Sequence, residues 1–215
     1  MDQGYQNMTS PQHSRRSFVR TILGAIGLSA LARPALAANL TPRAMEGPFY
    51  PSPAMRRPDV DNDLVKILGM VEEAGGEVCT LKGRVLDRSG APLAGQRIEI
   101  WQCDMNGKYL HSGDRQAIDF DPAFQGFGHD ITGPDGAYEF RTIKPVSYPG
   151  RTPHIHVKVL EGDREVLTTQ FYIDGHPANQ RDGLFNRMSE TEAKAVSMVF
   201  TQTGEGEEAI VDVVI

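Results

Sequence analysis

Two histidines separated by a single residue are the feature of this sequence most able to do chemistry. His154 and His156 lie in the stretch SYPGRTPHIHVKV, whose second half has the composition of a β-strand. Side chains at positions i and i+2 of a strand point to the same face, about 7 Å apart along the chain, so both imidazoles can lean toward one ion. A lone H-x-H pair can also be a surface feature, so its neighbours must decide whether it binds a metal.

Two tyrosines are candidates to complete such a site. Tyr148 precedes His154 by six residues across a proline-bounded turn, and Tyr109 lies in the loop MNGKYLHSG. Two tyrosines with two histidines are unusual for zinc, which prefers cysteine, histidine and carboxylate ligands. They suit ferric iron, because a trivalent cation stabilises the phenolate of a side chain whose ordinary pKa is near 10. Tyr109 alone would be interpreted as a partly buried aromatic residue that donates one hydrogen bond.

The segments that must position these residues are mostly β-strands. Four β-rich runs, EVCTLKGRVLD, QRIEIWQCD, HIHVKVLEG and VLTTQFYI, are separated by turn residues, and EEAIVDVVI predicts a closing strand. In ITGPDGAYEFRTI, an Asp135-Gly136 turn leads into an alternating strand. SETEAKAVSMVF predicts one short C-terminal helix, with Ser189 and Glu192 forming a capping box. Short strands joined by turns predict an all-β fold, a β-sandwich.

The chain divides into three predicted parts. Residues 38–76 are proline-rich with little periodicity, which predicts an extended N-terminal arm lying on a sandwich domain of residues 77–215. Residues 1–37 precede both parts and have a different composition. The two cysteines, Cys79 and Cys103, lie in apolar strand-like runs, so buried free thiols are favoured, with a single disulfide left open by an oxidising compartment.

Residues 1–37 have the three parts of an export signal. A twin-arginine pattern, SRRSFV, is followed by the apolar run TILGAIGLSALA and by PALA, a small-x-small cleavage site. The apolar run is too short for a stable transmembrane helix, so no integral membrane span is predicted. We expect recognition by the twin-arginine export machinery, cleavage after Ala37 and a periplasmic or secreted protein. That route carries folded proteins, often already loaded with a cofactor, which mildly favours a metalloprotein.

Charge limits the kinds of partner. Without residues 1–37 the chain has 18 basic and 27 acidic residues, a net charge of −9. Nucleic acids and anionic membranes need a basic face, so both are excluded as expected partners. The length suffices for one domain with a real core. The oligomeric state is left open, a homo-oligomer included.

Four ordered motifs resemble the intradiol aromatic-ring dioxygenases, of the protocatechuate and catechol 1,2-cleaving kind. They are EGPFY, GRVLDRSGAPLAGQRIEIWQCDMNGKY, DGAYEFRTIKPVSYPGRTPHIH and TTQFYIDGH, and the resemblance extends from Thr41 to about Arg187. It implies a β-sandwich core of the transthyretin type. It also implies a non-haem iron(III), Fe(3+), whose ligands are a hydroxide and the side chains of Tyr109, Tyr148, His154 and His156.

The resemblance further implies a reaction and two more site residues. A catechol-type diol would bind iron as a chelating dianion, replacing the hydroxide and one tyrosinate, which by family analogy is Tyr148, and these would accept its two protons. With O₂ the ring would open between its hydroxyl-bearing carbons to give a muconate-type diacid. Arg151 and Gln170 fall on positions implied to stabilise developing negative charge. Outside this context they would be interpreted as a surface salt bridge and a sheet-edge hydrogen bond.

The sequence also departs from the family pattern and leaves alternatives open. The segment PGRTP is shorter than in many members, and Gly150 stands where protocatechuate-type members often have an aromatic residue, so the ring substituents of the substrate are undetermined. GRVLDRSGAPLAGQRIEI alone fits a non-catalytic transthyretin-like or carbohydrate-binding module. A copper or zinc protein that uses only the H-x-H pair is a third reading. His111, two residues past Tyr109, could support the metal site from behind a ligand, but a solvated loop histidine is favoured.

Overall fold

A computed structural model describes residues 39–215, so the twin-arginine pattern and the predicted cleavage site lie outside the described residues. This part of the chain contains one α-helix, α1 (Glu190–Ala195), and short 3₁₀ helices at Pro53–Met55, Pro177–Arg181 and Phe185–Arg187. Its ten strands are β1 (Val78–Leu86), β2 (Arg97–Trp101), β3 (Phe127–Ile131), β4 (Ala137–Ile143), β5 (His154–Glu161), β6 (Arg164–Ile173), β7 (Ser197–Met198), β8 (Phe200–Thr203), β9 (Gly206–Ile210) and β10 (Val213–Val214).

The strands form two five-stranded sheets. The first has the order β4–β1–β9–β8, with β10 beside the end of β1, and the second has the order β3–β2–β5–β6–β7. The pairs β1–β9, β1–β10 and β6–β7 are parallel and the other pairs antiparallel. This arrangement confirms the predicted all-β sandwich. Strands β3, β7 and β8 were not predicted from the sequence, and the single closing strand that was predicted is divided into β9 and β10.

Alternation along β5 places the core on one face of the second sheet and the histidines on the other. Ile155, Val157 and Val159 are fully buried in the main apolar cluster, which contains side chains from both sheets. Burying each such side chain stabilises the fold by about 1.5–3 kcal/mol. His154 and His156, at the intervening positions, therefore project from the outer face of this sheet.

The predicted turn and helix are both present, the helix in a shorter form. The turn spans residues 133–136 and is closed by a hydrogen bond from the Gly136 N–H to the Gly133 carbonyl at 2.9 Å, with a φ of 75° at Gly136. Ser189 and Glu192 form the predicted capping box. The helix ends at Ala195, whereas the sequence predicted a longer one, because the following residues pair with β6 as β7 and bury Met198 in the core. Tertiary packing overrides helix propensity at this point.

Residues 39–76, the arm, lie against the sandwich and contain turns and the 3₁₀ helix Pro53–Met55. The Thr41 N–H donates to the Val214 carbonyl at 3.0 Å, and the Ala44 N–H donates to the Thr168 carbonyl at 2.8 Å. Leu64 and Val65 are fully buried in the main core, so the arm contributes to the fold itself. Between residues 39 and 215, none of the helices has the length and apolar character needed to cross a membrane.

Both cysteines are buried and free. Burial is the main reason that the pKa of Cys79 and that of Cys103 are each raised to about 12. The two residues therefore remain thiols, as the sequence favoured, and the disulfide that it left open is not formed.

Candidate metal centre

The four predicted ligand residues meet on the outer face of the second sheet. The Nε2 atoms of His154 and His156 are 3.2 Å apart. The ring centroid of Tyr148 lies 5.4 Å from that of His154, and the ring centroid of Tyr109 lies 6.1 Å from that of His156. The two phenol rings are 5.4 Å apart and nearly perpendicular. Two phenols and two imidazoles thus surround one small space.

His154 has the tautomer that a metal requires. Its Nδ1 lies 2.7 Å from the Thr152 carbonyl oxygen, which can only accept, so Nδ1 carries the proton and Nε2 presents a lone pair. Burial, followed by the nearby charge of Arg151, lowers the pKa of His154 to about 4. Burial also lowers the pKa of His156 well below its ordinary value. Both rings are therefore neutral at physiological pH, the form that binds metal ions.

The ring of His156 is held by two close neighbours. The indole of Trp101, opposite His156 on β2, stacks on it with a centroid distance of 4.8 Å and an interplanar angle of 11°. Gly47 in the arm approaches it so closely that an added Cβ would lie 3.2 Å from His156 Cε1. The φ of Gly47 is 77°, a conformation that favours glycine. The arm therefore contacts His156 at a position where any residue larger than glycine would be strained.

The motif EGPFY is fastened over the site by polar contacts at both ends. Glu46 forms an ion pair with Lys158, and the Tyr50 hydroxyl donates to Glu99 at 2.7 Å. The Lys158 ammonium also lies 3.6 Å from the centroid of the Tyr50 ring, within the range of a cation–π interaction. Between these ends Phe49 stacks on Tyr109 with a centroid distance of 4.7 Å. The sequence alone predicted no role for the individual residues of this motif.

Tyr109 lies in an irregular loop that carboxylates hold in place. Asp114 accepts a hydrogen bond from the Tyr109 N–H at 2.9 Å, and Asp104 accepts from the Asn106 and Lys108 N–H groups. The side chain is 3% exposed, and burial raises the pKa of its phenol well above the ordinary value. Its hydroxyl has no hydrogen-bond partner among residues 39–215.

Tyr148 is the less enclosed of the two phenols. It lies on the turn before β5, half-buried, and its carbonyl accepts from the Arg151 N–H at 3.0 Å. Its hydroxyl is 3.4 Å from Arg151 Nη1. The pKa of Tyr148 is raised, mainly by burial, although the Arg151 guanidinium opposes this rise. Of the two tyrosines, Tyr148 is therefore better placed to leave the site and return.

These donors fit a hard trivalent cation. An unpartnered buried hydroxyl such as that of Tyr109 costs about 1–3 kcal/mol, and binding to a cation as phenolate would remove this cost. The imidazole Nε2 atoms face each other at 3.2 Å, so one ion between them could bind both. Within the described part of the chain, no three His, Cys, Asp or Glu residues lie close enough together to hold a metal. A four-residue site here consequently depends on the two phenols.

Arg151 and Gln170, predicted from separate motifs, are in direct contact. Arg151 Nη2 donates to Gln170 Oε1 at 2.5 Å, and the Tyr172 hydroxyl donates to the same oxygen at 2.8 Å. Gln170 Nε2 donates to the Met45 carbonyl in the arm at 3.0 Å. Arg151 Nε forms an ion pair with Asp182 at 2.8 Å. Neither Tyr172 nor Asp182 was predicted from the sequence to belong to the site.

A cavity of about 330 Å³ adjoins this network. Gln170 and Tyr172 form part of its wall, together with the arm around Met45 and the apolar side chains of Leu184 and Met188. This volume lies within the usual range for small-molecule sites, roughly 300–1,000 Å³. His111 does not line this cavity; its ring edge faces Phe49, which stacks on Tyr109, at a centroid distance of 5.7 Å.

The chain is similar to known dioxygenases. A family profile described as Dioxygenase matches residues 45–208. The chain is 38% identical over 136 residues to the protocatechuate 3,4-dioxygenase beta chain of Burkholderia cepacia, an alignment that covers 59% of this chain and 57% of that protein. The chain spans about half the length of the curated relatives it matches.

Solved structures show the same fold. The dioxygenase domain of a dioxygenase–carbohydrate-binding protein fusion from Streptomyces sp. SirexAA-E is 36% identical, with a TM-score of 0.62, covering 82% of this chain and 98% of that one. An intradiol ring-cleavage dioxygenase from Tetranychus urticae has a TM-score of 0.66 at 22% identity, covering 83% of this chain and 95% of that one. With the family profile matching most of its length, the chain belongs to the intradiol ring-cleavage dioxygenase family.

Proposed function

We propose that this protein is a non-haem iron(III) intradiol dioxygenase. In this reaction O₂ opens a catechol-type ring between its two hydroxyl-bearing carbons and yields a muconate-type diacid. The observation that carries the proposal is the convergence of Tyr109, Tyr148, His154 and His156 on one space that contains a buried, unpartnered phenol hydroxyl. Membership of the family supports it.

Three of the four proposed ligands are held rigidly and one is not. His154 is fixed by the Thr152 carbonyl, His156 by Trp101, and Tyr109 by its buried loop. Tyr148 is on an exposed turn, so we propose that it leaves when a diol binds and accepts one of the two diol protons. When bound, iron(III) would supply the electron-accepting centre that makes a chelated catecholate reactive toward O₂.

Arg151 and Gln170 would serve the same site, Arg151 with a fixed positive charge and Gln170 with a polar amide. The Arg151 guanidinium lies between the Tyr148 hydroxyl and Gln170, so it would hold the released Tyr148 by donating to its hydroxyl oxygen and would stabilise the negative charge that develops on the substrate. Donors that are already oriented stabilise such charge without the cost of reorganisation. Arg151 is paired with Asp182, which keeps it in place in the absence of substrate.

The adjoining cavity supports an aromatic diol as the substrate class. Leu184 and Met188 provide apolar surface for a ring, while Gln170 and Tyr172 provide the polar side. The site is bordered by the arm, so the identity of Met45 and its neighbours would influence which ring substituents fit.

Iron analysis and turnover measurements test the proposal. Purified wild-type protein should contain about one iron per chain and be reddish from tyrosinate-to-iron(III) charge transfer, whereas a zinc protein would be colourless. Catechol, protocatechuate, hydroxyquinol and larger lignin- or tannin-derived catechols should be screened by oxygen uptake and by the ultraviolet spectra of the products. Colourless protein that consumes no oxygen with any of them would rule out the proposal.

Matched variants locate the activity. Tyr148→Phe and His156→Ala should abolish ring cleavage while leaving a folded sandwich. Tyr138→Phe and His176→Ala are the controls, because Tyr138 donates its hydrogen bond to the Val211 carbonyl in the core and His176 caps a 3₁₀ helix. Wild-type turnover in His156→Ala would refute the site assignment.

We also propose that the chain is exported through the twin-arginine machinery to the periplasm or beyond. The support is the order of SRRSFV, the apolar run and PALA. Replacing Arg15 and Arg16 with lysine should retain the protein in the cytoplasm at its full length. Export of that variant at the wild-type rate would contradict the proposal.

A further inference from the structure

We infer that Asp182 is a positioning residue that orients both Arg151 and His154, an inference that rests on the proposed function of the site. Asp182 lies after β6, at the end of the 3₁₀ helix Pro177–Arg181, and its side chain is fully buried. It is 31 residues from Arg151 in the sequence, in a segment without recognisable motif chemistry. Its carboxylate nevertheless links the proposed ligand strand to the cationic group beside it.

The carboxylate of Asp182 accepts four hydrogen bonds, two on each oxygen. Oδ2 accepts from Arg151 Nε at 2.8 Å and from the Thr152 N–H at 3.0 Å. Oδ1 accepts from the Leu184 N–H at 2.8 Å and from the Phe185 N–H at 3.1 Å. Since all four partners are donors, only an acceptor-only group satisfies them together. Burial favours a raised pKa for Asp182, but the bonds from Arg151 and Thr152 outweigh it and lower the pKa.

The first consequence is a fixed guanidinium plane at Arg151. With Nε bonded to Asp182, the two terminal nitrogens point toward Gln170 Oε1 at 2.5 Å and the Tyr148 hydroxyl at 3.4 Å. Guanidinium is planar and rigid, so two anchored nitrogens determine the direction of the third. Asp182 thereby directs positive charge toward the tyrosine that we propose to leave.

The second consequence is a fixed tautomer at His154. Asp182 holds the Thr152 N–H, and the hydroxyl of Thr152 donates to Asn179 Oδ1 at 2.7 Å. The carbonyl of the same residue accepts the Nδ1–H of His154 at 2.7 Å, which leaves Nε2 free to bind a metal. A partner of this kind, one step behind a metal ligand, commonly contributes 10- to 100-fold to metal affinity.

The test is Asp182→Asn in the full-length protein. Asparagine can keep the Leu184 and Phe185 N–H groups bonded through its oxygen, but its NH₂ group then faces two other donors, Arg151 Nε and the Thr152 N–H. We expect kcat to fall about 100-fold because a small misplacement of Arg151 is amplified in the rate, with KM changed by less than about threefold. Iron affinity, measured by competition with a chelator, should fall about 10- to 100-fold, and the visible absorption band should move.

A double variant separates the two consequences. Arg151→Gln removes the guanidinium but leaves Asp182 bonded to Thr152. Adding Asp182→Asn to Arg151→Gln should lower kcat no further, while iron affinity should still fall as it does in the single Asp182 variant. Fully additive losses in kcat, or an iron affinity equal to that of wild type, would overturn the inference.

Two further variants complete the design. Asp174→Asn is the matched control. Asp174 is an exposed aspartate directly after β6, and its carboxylate bonds to no residue between 39 and 215. This variant should behave as wild type. If Asp182→Asn does not fold, Asp182→Ala takes its place, because a cavity of about 240 Å³ beside Asp182 can supply water. A wild-type protein that binds iron but cleaves no diol would refute the proposed function, and the Asp182 inference would then be decided by iron affinity and absorption alone.

Discussion

The contact between Gly47 and His156 gives a prediction whose size can be worked out from the structure. In Gly47→Ala the new Cβ would lie 3.2 Å from His156 Cε1, a few tenths of an ångström inside ordinary van der Waals distance. The alanine would also adopt a φ near 77°, which costs about 1–2 kcal/mol for a residue with a Cβ. The His156 ring cannot retreat freely because Trp101 stacks on it. Overpacking of this kind costs about 1–3 kcal/mol more.

Gly95→Ala separates the contact from the backbone strain. Gly95 has a φ of 71°, almost the same as Gly47, but no atom lies within 4 Å of its added Cβ. Gly95→Ala should therefore lose about 1–2 kcal/mol of unfolding free energy through strain alone. Gly47→Ala should lose about 1–3 kcal/mol more of unfolding free energy than Gly95→Ala. If the His156 ring moves away from the metal position instead, the same free energy should be lost from iron binding.

Urea denaturation of the iron-free proteins and chelator competition of the iron-loaded proteins measure these two quantities. The sum of the losses in the two assays should be larger for Gly47→Ala than for Gly95→Ala by about 1–3 kcal/mol. Since 1.4 kcal/mol corresponds to a factor of ten, an excess felt entirely in iron binding would be roughly 5- to 150-fold in affinity. Equal losses in the two variants, with the iron affinity of wild type, would show that the arm does not constrain His156.

Three other perturbations address the arm, the loop and the core. Burial and the bond to Glu99 raise the pKa of Tyr50 to about 12, so this phenol contributes stability that is present below pH 10 and is lost as the pH rises through 12. Tyr50→Phe should therefore flatten the dependence of the unfolding free energy on pH between pH 10 and 12, and an unchanged slope would contradict this. Asp114→Ala removes the acceptor of the Tyr109 N–H and should destabilise the iron-free protein by about 1–3 kcal/mol and lower the iron content, whereas wild-type values for both would show that the loop is held by other contacts. Cys79 and Cys103 should not react with a thiol reagent at pH 8 in the native protein and both should react in denaturant, and rapid labelling of the native state would show that their burial is transient.

The parts of the site that follow from local periodicity could be predicted from the sequence. His154 and His156 share a face because a strand alternates, and Ile155 enters the core for the same reason. Tyr109 and Tyr148 lie in a loop and a turn, which have no period, so only the resemblance of their motifs indicated that they meet the histidines. Whether they bind iron stays a prediction.

Contacts between distant segments could not be predicted, since no local pattern encodes them. The bonds of Asp182 to Arg151 and of Glu46 to Lys158 join residues 31 and 112 positions apart. The predicted C-terminal end of α1 was wrong for a related reason. Its helical pattern continues past Ala195, but a place beside β6 and a core position for Met198 stabilise a strand instead.

Because the candidate centre lies on the outer face of the second sheet, the residues that form the apolar core and the residues that surround the site are largely different. Burial of the apolar cluster between the sheets stabilises the fold, and this cluster contains none of the four candidate ligands. The arm and the segment around Leu184 form the walls of the cavity. Under the proposed function, substrate preference would therefore diverge among related chains through substitutions at residues such as Met45 and Leu184, which line the cavity but do not belong to the main apolar cluster.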